Sequence, residues 1–464
     1  MLILLVLLLT IFPVGLAITW PMGLIYFSLL TGALPVTFGK GGQLGGDFGR
    51  IDLYAIRLLG LWVAALIVVL FNIQRLPKYL TQYKFHALFL FFSIVALSWA
   101  PSIVYGTRMV AKLMAPYLFL LLLLAVVSTR KQIERIEWLM LLTGVLAILV
   151  EVASWLAGYR FEGKTGLGIP GLGPAPSSAH LAILSMLAFS GFRHSGSRTH
   201  LVLTICFAGA AAAGFTRITI AGMFLGFSMI MFLSSSGILR YALAFCSMAA
   251  LPAVFFLNDV LRYRMFKGGE IPSLDVLAND PSVALDSVHG SGRFDAWGNV
   301  LEMFFFPNPF FGSGTGTTQH YFYTHPEHGL NAIHSEYIRV LAELGMFGFA
   351  LLVVAFGAYL MKMWITYKTS RSANAKKYSL AAMGGILVYF IFMSTDNAID
   401  YVTSSGIYVF TFIALSEKSR DLDEGAATDK AVGDEEVGSG IVSYLGKLVD
   451  TPSTSRRYPI IPKE

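Results

Sequence analysis

Apolar runs long enough to cross a membrane recur along nearly the whole chain of 464 residues. A membrane-spanning helix needs about 20 predominantly apolar residues in succession. Charged residues make up 13% of this chain, whereas soluble domains usually carry about 25%. The sequence therefore predicts an all-α polytopic integral membrane protein and excludes a soluble globular enzyme.

Most of the spans can be placed from the apolar runs alone. They are predicted near residues 53–71, 85–100, 110–127, 138–157, 178–192, 201–215, 218–234, 238–257, 338–361, 379–395 and 401–416. Residues 1–36 form either one long span or a hairpin of two, broken near Pro13 or Pro21. The prediction is therefore about 12 transmembrane helices, either 12 or 13.

The basic residues indicate how the chain is threaded through the membrane. The formal net charge is +6, and most lysines and arginines lie in short loops between apolar runs, where they mark the cytoplasmic side. This distribution predicts orientation and gives no indication of nucleic-acid binding. Cys206 and Cys246 both lie inside apolar runs, so no disulfide framework is expected.

Two segments differ from the spans. The loop 258–333, predicted to lie on the external side, is by far the longest connection and contains Trp297 and the run FFFPNPFF. Long loops in compact folds are usually functional or disordered, and the aromatic content favours an ordered cap over the membrane. Residues 417–464 have the composition of a disordered cytoplasmic tail, which leaves residues 1–416 as the transmembrane domain.

The stretch HSEYIRVLAELGMFGF, residues 334–349, begins with charged residues and continues into a membrane span. If it is one helix, His334, Gly345 and Gly348 lie within about 40° of one line, and Glu336, Arg339 and Glu343 lie on the opposite side. Small residues let a neighbouring backbone approach closely. A glycine seam of Gly345 and Gly348 would then fix the helix and the direction of His334. The alternative is an interfacial helix with an incidental polar end.

Two arginines on the same predicted external side are further candidates. Arg217 lies between two apolar runs with almost no loop around it, and Arg293 lies in the long loop with Trp297 four residues later. An ionisable residue at such depth is a functional-site hypothesis, although Arg217 could also extend to lipid headgroups. Arginine binds phosphate through a planar fork, and histidine can take a proton near neutral pH. The three residues together indicate a site for a diphosphate and a hydroxyl.

Metal and cofactor sites are not predicted. Five of the nine histidines lie between residues 289 and 334, but the HYFYTHPEH cluster lacks a recognised ligand spacing or a set of carboxylate partners. The glycines of FGSGTGTT have no strand–turn–helix context, so they favour a loop hinge over a nucleotide site. We expect no metal and no cofactor.

The residues 334–348 carry a resemblance to a known family. His334-Ser335, nine residues, Gly345, two residues and Gly348 match the H-[NSQ]-x9-G-x-x-[GTY] signature of the bacterial O-antigen ligase and O-antigen polymerase family. Thr216-Arg217 is similar to that family's basic turn, with threonine where serine is usual, and Arg293 resembles its long-loop arginine. The resemblance covers roughly residues 200–416.

The resemblance implies an inverting, metal-independent glycosyltransferase of cell-surface polysaccharide assembly, such as lipopolysaccharide or exopolysaccharide. Its site would face the periplasm from the bacterial inner membrane, among membrane lipids. The donor would be a glycan on undecaprenyl diphosphate. Arg217 and Arg293 would bind the diphosphate, and His334 would orient or deprotonate the acceptor hydroxyl.

The sequence does not identify the acceptor of the glycan. A polymerase would extend another lipid-linked glycan, and a chain-length regulator would be a candidate partner. A ligase would transfer the glycan to lipid A core. We favour the polymerase because no core-binding element is visible. A lipid or polysaccharide transporter is a remote alternative, since transporters often have internal repeats and charges at the membrane midplane, whereas these candidates lie at the external face.

Overall fold

The computed structural model describes residues 2–33, 43–44, 51–159, 167–168, 173–257, 293–325 and 332–424. Apart from a two-residue antiparallel pair, Gln43–Leu44 with Ile51–Asp52, the regular structure of these residues is helical. The helices are α1 (Leu2–Thr19), α2 (Pro21–Ala33), α3 (Leu53–Phe71), α4 (Pro77–Gln82), α5 (Lys84–Val95), α6 (Ile103–Val126), α7 (Arg130–Leu156), α8 (Pro174–Ser195), α9 (Arg198–Ala213), α10 (Arg217–Ser234), α11 (Gly237–Leu257), α12 (Arg293–Val300), α13 (Thr317–Thr324), α14 (Glu336–Thr369), α15 (Ala373–Thr395) and α16 (406–424). The predicted all-α class is confirmed.

Six of these helices are long and apolar enough to cross a membrane, namely α6, α7, α8, α10, α14 and α15. Five shorter apolar stretches lie in α2, α3, α5, α9 and α11. The count of about 12 spans therefore stays a prediction. Residues 1–36 contain two helices, which meet at Trp20 and Pro21; proline cannot donate the backbone hydrogen bond that a continuous helix requires.

Helices α8 and α15 form the centre of the bundle. Among the six spanning candidates, the apolar stretch of α8 is the one most buried by other parts of the protein. Helix α8 packs against α9 and α15. Helix α15 also packs against α10 and α14, and α14 packs against α5. This arrangement brings the starts of α10 and α14 beside the end of α15.

The described part of the long connection is ordered. Residues 293–305 form α12 and a π-helical turn, and residues 317–324 form α13. Trp297 donates its indole N–H to the Ile333 carbonyl at 2.7 Å, and Val300, Phe322, Ile333 and Ala342 form a small apolar core of their own. Residues 258–292 and 326–331 of the predicted loop lie outside the described residues.

The final helix continues beyond the predicted start of the tail at Glu417. Its last two turns are tied to neighbours: Lys78 of α4 contacts Asp421 at 2.8 Å, and Lys418 donates to the Leu124 carbonyl of α6 at 3.2 Å. Lys362 of α14 lies 3.6 Å from Glu417, and Arg130 of α7 pairs with Asp423. The predicted boundary at residue 417 therefore falls inside α16, and residues 425–464 lie outside the described part.

Candidate active site

His334 lies immediately before α14, with its side chain partly exposed. Ser335 is the N-cap of α14 and accepts a hydrogen bond from the Ile338 N–H at 3.4 Å, which starts the helix directly after the histidine. His334 has a backbone φ of 53°, a left-handed conformation that is uncommon for residues other than glycine. Its N–H donates to Asn397 Oδ1 at 2.9 Å. The backbone that carries the imidazole is therefore held in an unusual conformation by a residue 63 positions later.

The imidazole of His334 faces two further polar groups of the same short segment. Its Nδ1 lies 3.4 Å from Asn397 Nδ2 and 3.8 Å from Asp396 Oδ1. Asn397 Oδ1 already accepts from the His334 N–H and from Arg339 at 3.4 Å. The amide nitrogen is therefore the Asn397 atom that faces Nδ1 of the ring.

Arg293 reaches the same segment from the long connection. It is the first residue of α12, and its Nη1 donates to the Thr395 carbonyl at 2.6 Å. That carbonyl belongs to the end of α15, where such groups lack a partner within the helix. Asp396, which faces His334, is the next residue. The structure therefore brings Arg293 and His334 to the two sides of residues 395–397.

Arg217 is the first residue of α10, and the register of α10 against α15 gives its level. A Cβ on Gly222 would lie 3.2 Å from the Val388 Cα, and one on Gly226 would lie 3.1 Å from the Gly384 carbonyl oxygen. The two helices are thus antiparallel, and four residues along one correspond to four along the other. Extending this register by five residues places Arg217 level with residue 393, in the last turn of α15. Arg293 and His334 therefore contact the end of α15, and Arg217 lies at the same level.

A buried ion-pair network lies beneath this segment. Arg339 is 4% exposed and contacts Glu336 at 3.2 Å and Asp400 at 3.4 Å. Lys112 of α6 contacts Asp400 at 2.6 Å, and Glu336 Oε1 accepts from the Ile399 N–H at 3.0 Å. Breaking one member of such a network leaves uncompensated buried charge. The network therefore fixes the 396–400 segment that holds His334.

Asp400 stays ionised within the network. Burial raises the pKa of its carboxyl, but Lys112 and then Arg339 outweigh that effect, and the pKa falls to about 2. Opposite charges at this range favour the charged form of a carboxyl group. Asp400 is therefore an anion at any physiological pH and a fixed anchor for both cations.

The charged side of α14 differs from the expectation. The spacing of Glu336, Arg339 and Glu343 allows i,i+3 and i,i+4 pairing along one face, and the Glu336–Arg339 pair does form. However, the face is buried, and Glu343 makes its bonds elsewhere, accepting from the Gly316 N–H at 2.7 Å and from the Thr318 hydroxyl at 2.5 Å. The charges face the protein interior because the 396–400 segment and the start of α13 supply partners.

Helix α14 is also not continuous. Gly345 has φ 66° and ψ −168°, a backbone conformation that is essentially restricted to glycine. A Cβ at this position would overlap the Phe310 carbonyl carbon. The predicted close approach therefore occurs at Gly345, but the neighbour is the long connection rather than another helix. Gly348 lies one turn after the break, where a Cβ would overlap the side chain of Leu344.

The backbone groups freed by this break pair with the long connection. The Met346 and Phe347 N–H groups donate to the carbonyls of residues 309 and 310 at 2.8 and 3.1 Å. The N–H groups of residues 313 and 314 donate to the carbonyls of Ala342 and Glu343, both at 2.9 Å. Residues 309–314 are thus fixed alongside residues 342–347 of α14.

The other histidines of the connection have aromatic neighbours. The rings of His320 and Tyr105 are 5.4 Å apart, and His325 stacks on Tyr321 at 4.7 Å. Within the described ranges, no group of three or more His, Cys, Asp or Glu side chains could hold a metal ion.

Comparison with known proteins gives one match. Residues 201–353 match the family model described as O-antigen ligase. The match covers about a third of the chain and supports its assignment to the O-antigen ligase and polymerase family. No curated protein matches the chain. The matched segment contains Arg217, Arg293, His334, Gly345 and Gly348, so every predicted site residue lies inside it, whereas the 395–400 segment that contacts Arg293 and His334 lies beyond it. With its apolar helices, the chain is a membrane enzyme of O-antigen ligase or polymerase type, for which the family implies a glycosyltransferase-like reaction.

Sequence reasoning did not identify Asn397, the residue with the most contacts to His334. From the sequence alone, Asp396 and Asp400 are as compatible with the membrane interface as with the lining of a polar cavity. The signal that could have found all three is the run TDNAID, which places three polar side chains in one short connection between two apolar spans of an O-antigen ligase family protein.

Proposed function

We propose that this enzyme polymerises glycans on the periplasmic face of the bacterial inner membrane. It transfers a glycan from undecaprenyl diphosphate to a sugar hydroxyl of a second lipid-linked glycan, with inversion and without a metal ion. The observation that carries the proposal is the convergence of Arg293, His334 and the level of Arg217 on the end of α15. Two cations beside a titratable imidazole suit a diphosphate leaving group and a hydroxyl acceptor.

The arginines act on the donor in this proposal. Arg293 uses one N–H on the Thr395 carbonyl, and the rest of its fork is available for a phosphate. With Arg217, it stabilises the negative charge that develops on the diphosphate as the bond from the anomeric carbon to the phosphate oxygen breaks. Undecaprenyl diphosphate is the leaving group.

His334 acts on the acceptor. When Nδ1 carries the proton, it points that proton towards the Asp396 carboxylate instead of accepting from the Asn397 amide, and Nε2 accepts the proton of the acceptor hydroxyl. The hydroxyl oxygen then forms the new bond to the anomeric carbon. Asn397 keeps His334 in place during the transfer because it accepts from the His334 backbone N–H.

The test uses purified protein in nanodiscs, a glycan on undecaprenyl diphosphate and no nucleotide. We expect a ladder of longer glycans that are still attached to undecaprenyl diphosphate. His334→Ala should reduce the rate by about 100-fold to 10,000-fold, the usual contribution of a positioned acid or base. His194→Ala is the matched control, because that histidine is exposed at the end of α8, away from the site, and should retain the wild-type rate.

The acceptor and the carrier lipid decide the outcome. A product that appears only when lipid A core is added would replace the polymerase by a ligase with the same donor site. Absence of transfer under both conditions, in wild type and variants alike, would refute the enzyme proposal and favour transport. Equal rates for His334→Ala and His194→Ala would remove His334 from the mechanism.

A further inference from the structure

The phenylalanine segment, defined as residues 303–312 (MFFFPNPFFG), contains no ionisable side chain and presents apolar rings outward. Phe306, Phe310 and Phe311 are 62%, 68% and 58% exposed. Moving such side chains out of water into an apolar environment is favourable. Contiguous exposed apolar patches of this kind mark contact with another protein or with a membrane.

The pairing with α14 gives the depth of the segment. The Phe347 N–H donates to the Phe310 carbonyl at 3.1 Å, so the two residues are at the same level. Within α14, the first exposed residue is Met346, and exposed apolar residues then recur as far as Ile365. At a rise of 1.5 Å per residue these positions are about 28 Å apart, close to the ~30 Å thickness of a bilayer hydrocarbon core. Phe310 is therefore at the outer boundary of that core.

The chemistry at the opposite end of this face supports the same depth. Lys368 is the next basic residue after Ile365 and lies over the Trp364 ring at 4.6 Å. Tryptophan and lysine are typical of the membrane–water interface. The interface at that end is thus marked by residues of α14, and the hydrocarbon face between the two ends starts at the phenylalanine segment.

Irregular backbone at this depth requires that its polar groups have partners within the protein. Four carbonyl groups of the segment have such partners, and two of these bonds run from α14 to residues 309 and 310. The Asn308 carbonyl accepts from the Gly312 N–H at 2.8 Å, and the Phe304 carbonyl accepts from the Ser313 hydroxyl at 2.7 Å. These bonds leave the phenylalanine rings as the surface that the segment presents outward.

The exposed rings continue into the lipid-facing surface of the bundle. The rings of Phe311 and Phe347 are 6.3 Å apart, and Phe311 lies 6.4 Å from Phe92 of α5. Phe91, the neighbour of Phe92, is 62% exposed on α5. We propose that the phenylalanine segment inserts into the outer leaflet, with acyl chains of bilayer lipids against Phe306, Phe310 and Phe311. It thereby anchors the long connection to the bilayer beside the break at Gly345.

The experiment measures which solvent surrounds each ring position. The native cysteines are both exposed, so the background is Cys206→Ala/Cys246→Ala. Phe306→Cys and Phe310→Cys are spin-labelled in nanodiscs, and collision rates with oxygen and with a nickel chelate are compared. Val353→Cys, on the exposed apolar face of α14, is the lipid control. Asp295→Cys, exposed and charged in the wild type, is the water control.

High oxygen and low nickel accessibility at Phe306 and Phe310, matching Val353, would support the insertion. Nickel accessibility equal to that at Asp295 would overturn it. Low accessibility to both reagents would also overturn it and would indicate a covering protein instead. Because a label could disturb folding, the unmodified chain is cross-linked in parallel with a phospholipid that carries a diazirine in its acyl chain. The peptide containing residues 303–312 should then carry the lipid adduct, and an unlabelled peptide beside a labelled α14 would contradict the proposal.

Discussion

Substitution of Gly345 by alanine tests the break in α14 most directly. Alanine would have to adopt φ 66° and ψ −168°, a strained conformation that costs about 1–3 kcal/mol. Its Cβ would also overlap the Phe310 carbonyl carbon, and displacing that backbone would stretch the bonds to Met346 and Phe347. Overpacking of a well-packed site typically costs a further ~1–3 kcal/mol. We therefore expect a loss of about 2–6 kcal/mol in the free energy of unfolding.

Gly357→Ala is the matched control in the same helix. A Cβ there would have no heavy atom within 4 Å, and alanine favours a helix over glycine by up to about 1 kcal/mol. This variant should be as stable as the wild type or slightly more so. The assay is reversible unfolding in mixed micelles with increasing sodium dodecyl sulfate, followed by helical circular dichroism. Equal stabilities for the two variants would refute the reasoning, because they would show a continuous α14 that is not paired with residues 309–310.

Three further predictions concern the 396–400 segment. Arg339→Met leaves the buried Glu336 carboxylate without its ion-pair partner and leaves Asp400 paired with Lys112 alone. It should lower the free energy of unfolding by about 3–5 kcal/mol in the same assay. Asn397→Leu removes both contacts to His334, and should lower kcat of glycan transfer about 5-fold to 150-fold, the equivalent of about 1–3 kcal/mol, with little change in KM for the donor. The pKa of Asp400 is lowered to about 2. The ionised carboxylate therefore stabilises the folded protein fully above about pH 4, and this contribution to the free energy of unfolding is lost as the pH falls towards 2. Asp400→Asn should be less stable than the wild type at pH 7, and its stability should not show this fall at low pH.

Each of these predictions has an outcome that contradicts it. Wild-type stability of Arg339→Met would mean that the network contributes nothing to the bundle. A change in KM alone for Asn397→Leu would make Asn397 a donor-binding residue and not a positioning residue for His334. For Asp400→Asn, a stability deficit that is as large at pH 3 as at pH 7 would show that the ionisation of Asp400 is not responsible.

The sequence predicts the positions of the helices well because apolar runs of this length have few structural alternatives. The span predicted at 53–71 coincides with α3. The start of α6 is placed seven residues too late, at 110 instead of 103, because Arg108 interrupts the apolar pattern. Lys112 is tolerated inside the helix because it is paired with Asp400, 288 residues away.

The candidate site is predicted in its residue types but not in its arrangement. His334, Arg217 and Arg293 can be selected from their local surroundings. Their convergence on the end of α15 depends on contacts between distant segments, such as the bond from Arg293 to Thr395, for which no local pattern exists. The break at Gly345 is hidden for the same reason, since a glycine in a helical run is ordinarily tolerated and only the approach of Phe310 explains it.

The last two turns of α16 connect α4, α6, α7 and α14 at the end of the bundle opposite His334. A shortened protein that ends at residue 416, where the apolar run stops, would lose the partners of Lys78, Arg130 and Lys362 together. One that ends at residue 424 would keep them all. Affinity tags and fluorescent fusions on this enzyme therefore belong after residue 424. Poor yield from a shorter version would reflect the loss of these contacts between helices and not a damaged active site.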